Sequence, residues 1–218
     1  MEYILSSMYD EFILDDISNK IGIFPIANSD DLAEHLISYV RRHYNVYNSY
    51  VNPKISNFYR KHKKFTRFIL ISISVFCSPK NINEMLSDYA FNERLKWELE
   101  HIIPQNQYYN KFNSENTKLK NRIGNIALLT KETNSQIKNG SFSKKCEAIK
   151  VCEKELLVNK AFNQPKINFS KSDICKREKE INTHIFEIFF KDEGKLLKTK
   201  LKEHCNGIPQ MKWICFVS

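Results

Sequence analysis

The chain has 218 residues, enough to bury one hydrophobic core with at most a small satellite. Its 42% hydrophobic and 12% aromatic content excludes a disordered chain, and five Gly with six Pro favour helices with short connections over a many-turned β sandwich. The net charge is +9, split into −3 for residues 1–60 and +12 for residues 61–218, which suits a polyanion through counterion release and is matched equally well by a solvated Lys-rich surface.

Residues 1–27, with Phe12-Ile13-Leu14 and Ile21 to Pro25, read as a short helix followed by an extended strap. Met1 to Tyr9 has neither a basic n-region nor a continuous apolar run, so no secretory signal is expected. The six cysteines (Cys77, Cys146, Cys152, Cys175, Cys205, Cys215) form no C-x-x-C pair, which argues against a zinc ribbon. A reducing, cytoplasmic setting with inert thiols is the expectation. Asn28-Ser29-Asp30-Asp31 predicts a helix start, with Leu32, Leu36, Ile37, Val40 and Tyr44 on one face and an end near Tyr47.

Lys61-His62-Lys63-Lys64 leads into Phe65 to Cys77. Its Ile-Ser-Ile-Ser-Val alternation is strand-like, but its length and the basic turn before it favour a buried helix. Phe68 to Cys77, the most apolar run, is too short for the ~30 Å core of a bilayer, so no membrane contact is expected. Ser78-Pro79 resets the chain, and Ile82, Met85, Leu86 and Tyr89 predict a further helix.

Trp97 to Lys145 carries the chemistry. Leu99–Ile103 and Ile123–Leu129 predict two strands, the first stopped by Pro104, and Thr133–Lys138 opens a helix. The intervening loop, Asn106 to Asn121, is long and polar; its Tyr108, Tyr109 and Phe112 suit base stacking or core packing. Phe142 to Lys160 predicts a helix through Ala148, Ile149, Cys152, Leu156 and Leu157, which Pro165 breaks. Ser172 then caps a helix with the stripe Ile174, Ile181, Ile185, Ile188 and Phe189. The basic tail ends in Trp213 to Val217, a last strand or a partner-docking peptide.

Within the central stretch, Glu100-His101 is followed by Asn125 and Asn134. These side chains match what phosphodiester hydrolysis requires. A His takes a proton from water near neutral pH. A carboxylate and an amide carbonyl are hard oxygen ligands for Mg²⁺ or Mn²⁺, which stabilises charge on the phosphate and the leaving oxygen. Neighbours on a regular strand point to opposite faces, so Glu100 and His101 share a site only if the chain leaves ideal β geometry there. Asn125 is expected to hydrogen-bond backbone of the Gln105–Lys120 loop and so hold His101. Lys138, Lys144, Lys145 and Arg122 are candidate phosphate contacts, and Glu132 a weaker candidate for a further carboxylate ligand. His35, His43, His62, His184 and His204 have no motif around them and read as structural or surface residues.

Glu100-His101-Ile-Ile-Pro104-Gln105, Ile123-Gly124-Asn125-Ile-Ala-Leu-Leu, Asn134 and Phe142-Ser-Lys144-Lys145 together resemble the HNH (ββα-metal) endonuclease family. They are closest to the C-terminal nuclease domain of GmrSD-type modification-dependent restriction enzymes, with a weaker likeness at Ile174-Cys-Lys-Arg177. The resemblance implies that His101 is the general base, that Asn125 orients the loop, and that Glu100 and Asn134 bind the divalent metal. It also implies an α+β fold: a small ββα-metal core at 93–150, embedded between a helical region 1–92 and a helical region 151–218.

Such enzymes carry a nucleotide-hydrolysing domain, and residues 1–90 contain no Walker-type glycine loop. The expectation is therefore a nuclease half acting on DNA, with a separate NTPase or sensor subunit or alone, in restriction or anti-phage defence. The alternatives are a nucleic-acid-binding or scaffold subunit with little activity, and a ribonuclease toxin.

Overall fold

The computed structural model describes residues 29–51, 58–77, 97–104, 119–138, 140–152, 156–162 and 169–205. The expected strap at 1–27, the helix around 82–89, the aromatics Tyr108, Tyr109 and Phe112, and the apolar tail lie outside them. The fold is α+β, mostly helical with one small sheet.

Helix α1 spans Ser29–Val51, with Asp30 and Asp31 in its first turn, where carboxylates stabilise the positive end of the helix dipole. Leu32, Leu36, Ile37 and Val40 are buried as the helical spacing predicts. A short helix α2, Phe58–Lys61, precedes α3, Lys63–Phe76. Every residue of α3 from Phe65 to Phe76 except Arg67 is buried, so its strand-like alternation is overridden by full enclosure.

Strand β1, Trp97–His101, pairs antiparallel with β2, Ile126–Thr130. Both lie off the expected ranges. Ile123–Asn125 forms a 3-10 turn, not strand, and β1 begins two residues earlier and stops at His101. The stop has a cause: the Ile102 amide still donates to the Asn125 carbonyl at 2.8 Å, but the Asn125 amide turns back to the Arg122 carbonyl at 2.9 Å, so the reciprocal ladder bond is not made. Helix α4 is Lys131–Ile137, started by Thr130, whose hydroxyl accepts from the Thr133 amide at 3.2 Å. The long helix expected over Phe142–Lys160 is instead α5, Phe142–Cys152, and a 3-10 segment, Leu157–Phe162.

Helix α6, Lys171–Phe189, is capped by Ser170 and not by Ser172. Ser170 and Asp173 satisfy each other's amides reciprocally, a match that Ser172 lacks because it has no acid three residues on. Helix α7, Lys195–Cys205, folds back beside α1, with surface ion pairs Lys198–Glu34 (2.6 Å) and Lys202–Asp30 (3.1 Å) that contribute little each. Gly194 allows the reversal: its φ of 76° favours glycine, and a Cβ there would lie 3.2 Å from Cγ1 of Ile37.

The sheet lies between two cores. Trp97, Ile126 and Leu128 pack with α1, α3, α6 and α7 on one side, while Ala127 and Leu129 pack with Phe142, Cys146, Ile149 and Ile174 on the other. Burial on both faces is why Ile126-Ala-Leu-Leu is an unbroken apolar run.

Two charged neighbours on α6 enter this interior. Arg177 is 3% exposed and donates to the carbonyls of Val158 (3.2 and 3.0 Å), Ile123 (3.2 Å) and Gly124 (2.9 Å). Glu178, 2% exposed, forms an ion pair with Arg122 through two hydrogen bonds. The turn Arg122–Asn125 is thereby fastened to α6. Gly124 marks how closely they meet, since a Cβ there would fall 2.8 Å from Cγ of Glu178 and closer still to a backbone oxygen.

Arg177→Ala removes the guanidinium donor from the carbonyls of Val158 and Gly124, each loss costing about 1–3 kcal/mol, while Ile123 keeps the Ile126 amide, so urea denaturation is expected to give a loss of at least about 2 kcal/mol. Arg177→Lys is expected to recover little, because one ammonium cannot reproduce the planar fork that spans Val158 and the turn.

Candidate functional site

His101 closes β1, opposite Ile126, and is 7% exposed. Tyr59 of α2 meets its ring edge-on with centroids 4.9 Å apart, and the Tyr59 amide donates to the Asn121 carbonyl at 2.9 Å. Burial is the main cause that lowers the His101 pKa to about 4. The Lys145 and Lys120 ammonium groups push the same way, while a hydrogen bond from the ring to the Asn121 side chain opposes them. The imidazole is thus neutral at every pH near 7, the form that accepts a proton.

Asn125 is fully buried and holds the chain on both sides of the loop. Its Oδ1 accepts from the Ile103 amide at 2.9 Å, and its Nδ2 donates to the carbonyls of Lys120 (3.0 Å) and Ile103 (3.4 Å). The side chain therefore replaces the ladder that β1 abandons after His101.

The other face of β1 carries a second group. The register places Glu98 opposite Leu129 and Glu100 opposite Ala127, so both carboxylates share a face and His101 takes the opposite one. The Asn134 side chain reaches across from α4, its Nδ2 donating to Glu98 Oε2 at 2.8 Å. Thr130 supplies the cap of α4, so Asn134 is not needed for that purpose. A carboxylate only accepts, so this bond fixes the amide with Oδ1 turned away from Glu98. Lys145 of α5 is 1% exposed, and its ammonium donates to both Glu100 Oε1 and the His101 carbonyl. That residue ties the two faces together at the strand's end.

The other candidates are spread more widely. Lys138, at the end of α4 with φ 42°, and Lys144 are exposed. Lys145 and Arg122 are buried against Glu100 and Glu178, so each is neutralised inside the protein. Glu132 is exposed on the first turn of α4. His35 and His43 bond backbone carbonyls four residues back in α1, at 2.7 and 2.9 Å, and His184 lies 3.9 Å from Glu187. Sequence reasoning did not single out Glu98, Asn121 or Tyr59. Only Glu98 had a local signal, its i, i+2 relation to Glu100 on a strand.

Among the described residues, no cluster of three His, Cys, Asp or Glu side chains could hold a metal. What is present is an all-oxygen set of two carboxylates and an amide. Its chemistry suits Mg²⁺ or Mn²⁺, which keep several waters, and not Zn²⁺, which selects nitrogen and sulfur.

The family model described as GmrSD restriction endonucleases, C-terminal domain, matches residues 30–183 of the chain. No curated protein and no solved structure matches it.

A histidine NMR titration is expected to place His101 near pH 4, well below the ordinary 6.5. The unfolded chain then takes up this proton before the folded one does. His101 therefore lowers stability progressively as pH falls from about 6.5 towards 4.

Proposed function

The chain belongs to the family of GmrSD restriction endonuclease C-terminal domains, and from that membership we propose that it is a metal-dependent endonuclease of HNH type that hydrolyses DNA. One observation carries the reading. A buried neutral histidine, held by Asn121 and Tyr59 at the end of β1, is joined through Lys145 to a face bearing Glu98, Glu100 and Asn134.

In this reading His101 takes the proton from the attacking water. The edge-on Tyr59 ring and Asn121 fix the plane of the imidazole, and Asn125 keeps the turn behind it from shifting. Glu100 and Asn134, with Glu98 beside them, are the residues to hold Mg²⁺ or Mn²⁺. Once bound, the ion supplies positive charge against the phosphate in the transition state. Lys145 neutralises Glu100 and so limits the repulsion between two carboxylates on one strand face. Lys138 and Lys144 are exposed cations available to the DNA backbone.

The family's restriction chemistry further supports a role in anti-phage defence, with a separate NTPase or sensor subunit to govern cutting. No described helix is long and apolar enough to cross a membrane.

Plasmid cleavage tests the proposal. The wild type is expected to cut with Mg²⁺ or Mn²⁺ and not with EDTA, and His101→Ala to lose about 10²–10⁴-fold in rate. Cutting that survives His101→Ala would point to a scaffold subunit accompanied by another nuclease. For the metal face, Glu98→Gln can donate to Asn134 and release its amide orientation. Calorimetry is expected to show Mn²⁺ affinity about 10–100-fold weaker in that variant, with the melting temperature retained.

A further inference from the structure

Packing alone does not explain Lys145. It is 1% exposed, yet its ammonium donates to two acceptors at the end of β1, Glu100 Oε1 and the His101 carbonyl. The register accounts for the second of these. The Ile102 amide donates to the Asn125 carbonyl, and the bonds of an antiparallel ladder alternate along each strand, so the N–H and C=O of His101 point away from β2. Lys145 meets that edge carbonyl and the carboxylate of Glu100 with the same group.

The charge at this point is what the residue sets. Glu98 and Glu100 share a strand face, and Lys145 pairs with Glu100, so two carboxylates and one ammonium leave one net negative charge. With a divalent ion held there, the face carries one net positive charge, which the single negative charge of a phosphodiester neutralises. Without the ammonium the loaded face would already be neutral. Among the described residues no third His, Cys, Asp or Glu joins the two carboxylates. Water and substrate oxygens then complete the coordination of Mg²⁺ or Mn²⁺.

We infer that Lys145 is a positioning residue that sets the charge of the metal face, weakening the hold of the protein alone on the ion and strengthening that of the loaded site on the phosphate of DNA. This rests on the nuclease reading, and it gives a function to a cation whose burial denies it direct contact with phosphate. The physical basis is range. An ammonium bonded to Glu100 lies well inside a Debye length of whatever Glu100 holds, so salt screens little of its field. A unit charge and a divalent one about 6 Å apart repel by roughly tenfold in affinity even at the dielectric of water, and two opposite unit charges at that range attract by about threefold.

The test measures the two halves separately: calorimetry of Mn²⁺ with the DNA-free protein, and fluorescence anisotropy of a labelled DNA duplex in saturating Mn²⁺. In the duplex arm every protein carries His101→Ala, so that the DNA stays whole. Lys145→Met keeps the aliphatic stem and removes the charge, and Lys145→Gln removes the charge but keeps a polar end. Both are expected to bind Mn²⁺ about tenfold more tightly and the duplex about threefold less tightly than the wild type. Lys145→Arg, which keeps the charge, is expected to hold both values near those of the wild type. Lys198→Met removes an equal charge from the surface ion pair with Glu34 and is expected to change neither.

Opposite shifts are the signature, because damage to the fold would weaken both; melting temperatures accompany each variant. Unchanged or weaker Mn²⁺ binding in the neutral variants would overturn the assignment, as would tighter Mn²⁺ with unchanged DNA affinity. The same shifts in Lys145→Arg or Lys198→Met, or loss of the cooperative melt in both Lys145→Met and Lys145→Gln, would overturn it too. Each of these outcomes leaves the nuclease proposal standing. Failure of the wild type to bind Mn²⁺, both alone and with DNA, would instead remove the metal-dependent reading and this role with it.

Discussion

The structure depends on how a short turn, Arg122–Asn125, is held away from solvent. Its backbone carbonyls at Ile123 and Gly124 receive the guanidinium of Arg177, while the Arg122 side chain meets Glu178. Burying three charged groups in an apolar interior is costly unless each is paired and hydrogen-bonded. Here Arg122 and Glu178 pair with each other and Arg177 is hydrogen-bonded to backbone carbonyls, and the same bonds dock α6 onto the turn. Polar contacts of this kind demand one geometry, whereas apolar packing tolerates several.

That fixed turn has consequences on both sides. Asn125 takes over from the sheet where β1 ends, bonding both the amide and the carbonyl of Ile103 and the carbonyl of Lys120. The long loop can therefore leave and return without loosening His101. Asn121, on the returning side, bonds the ring and receives the Tyr59 amide, which brings the first helices into the site. Strand register does the rest, separating His101 from Glu98 and Glu100 by face. Lys145 touches both backbone and carboxylate across that division.

Charge is arranged with the same economy. Lys145 and Arg122 are matched to carboxylates inside, which stabilises the interior but withdraws them from a polyanion.

The sequence by itself determined the helical stripes of α1, α3 and α6 and the family to which the chain belongs, and it singled out Glu100, His101, Asn125 and Asn134 as candidates. Those signals are local: periodicity, spacing and side-chain chemistry survive without knowledge of the fold. Strand limits did not, because the register of β1 is set by Asn125 and the 3-10 turn, not by the apolar pattern of Leu99 to Ile103. The cap of α6 was misplaced by two residues, since Ser170 and Ser172 look alike until Asp173 is seen to bond one of them. Only the tertiary structure decided that Lys145 faces inward, that Arg177 and Glu178 are buried, and that Tyr59 and Asn121 surround the histidine. Each of those facts joins residues 19 to 62 positions apart, and no short window of sequence contains the neighbour that fixes them.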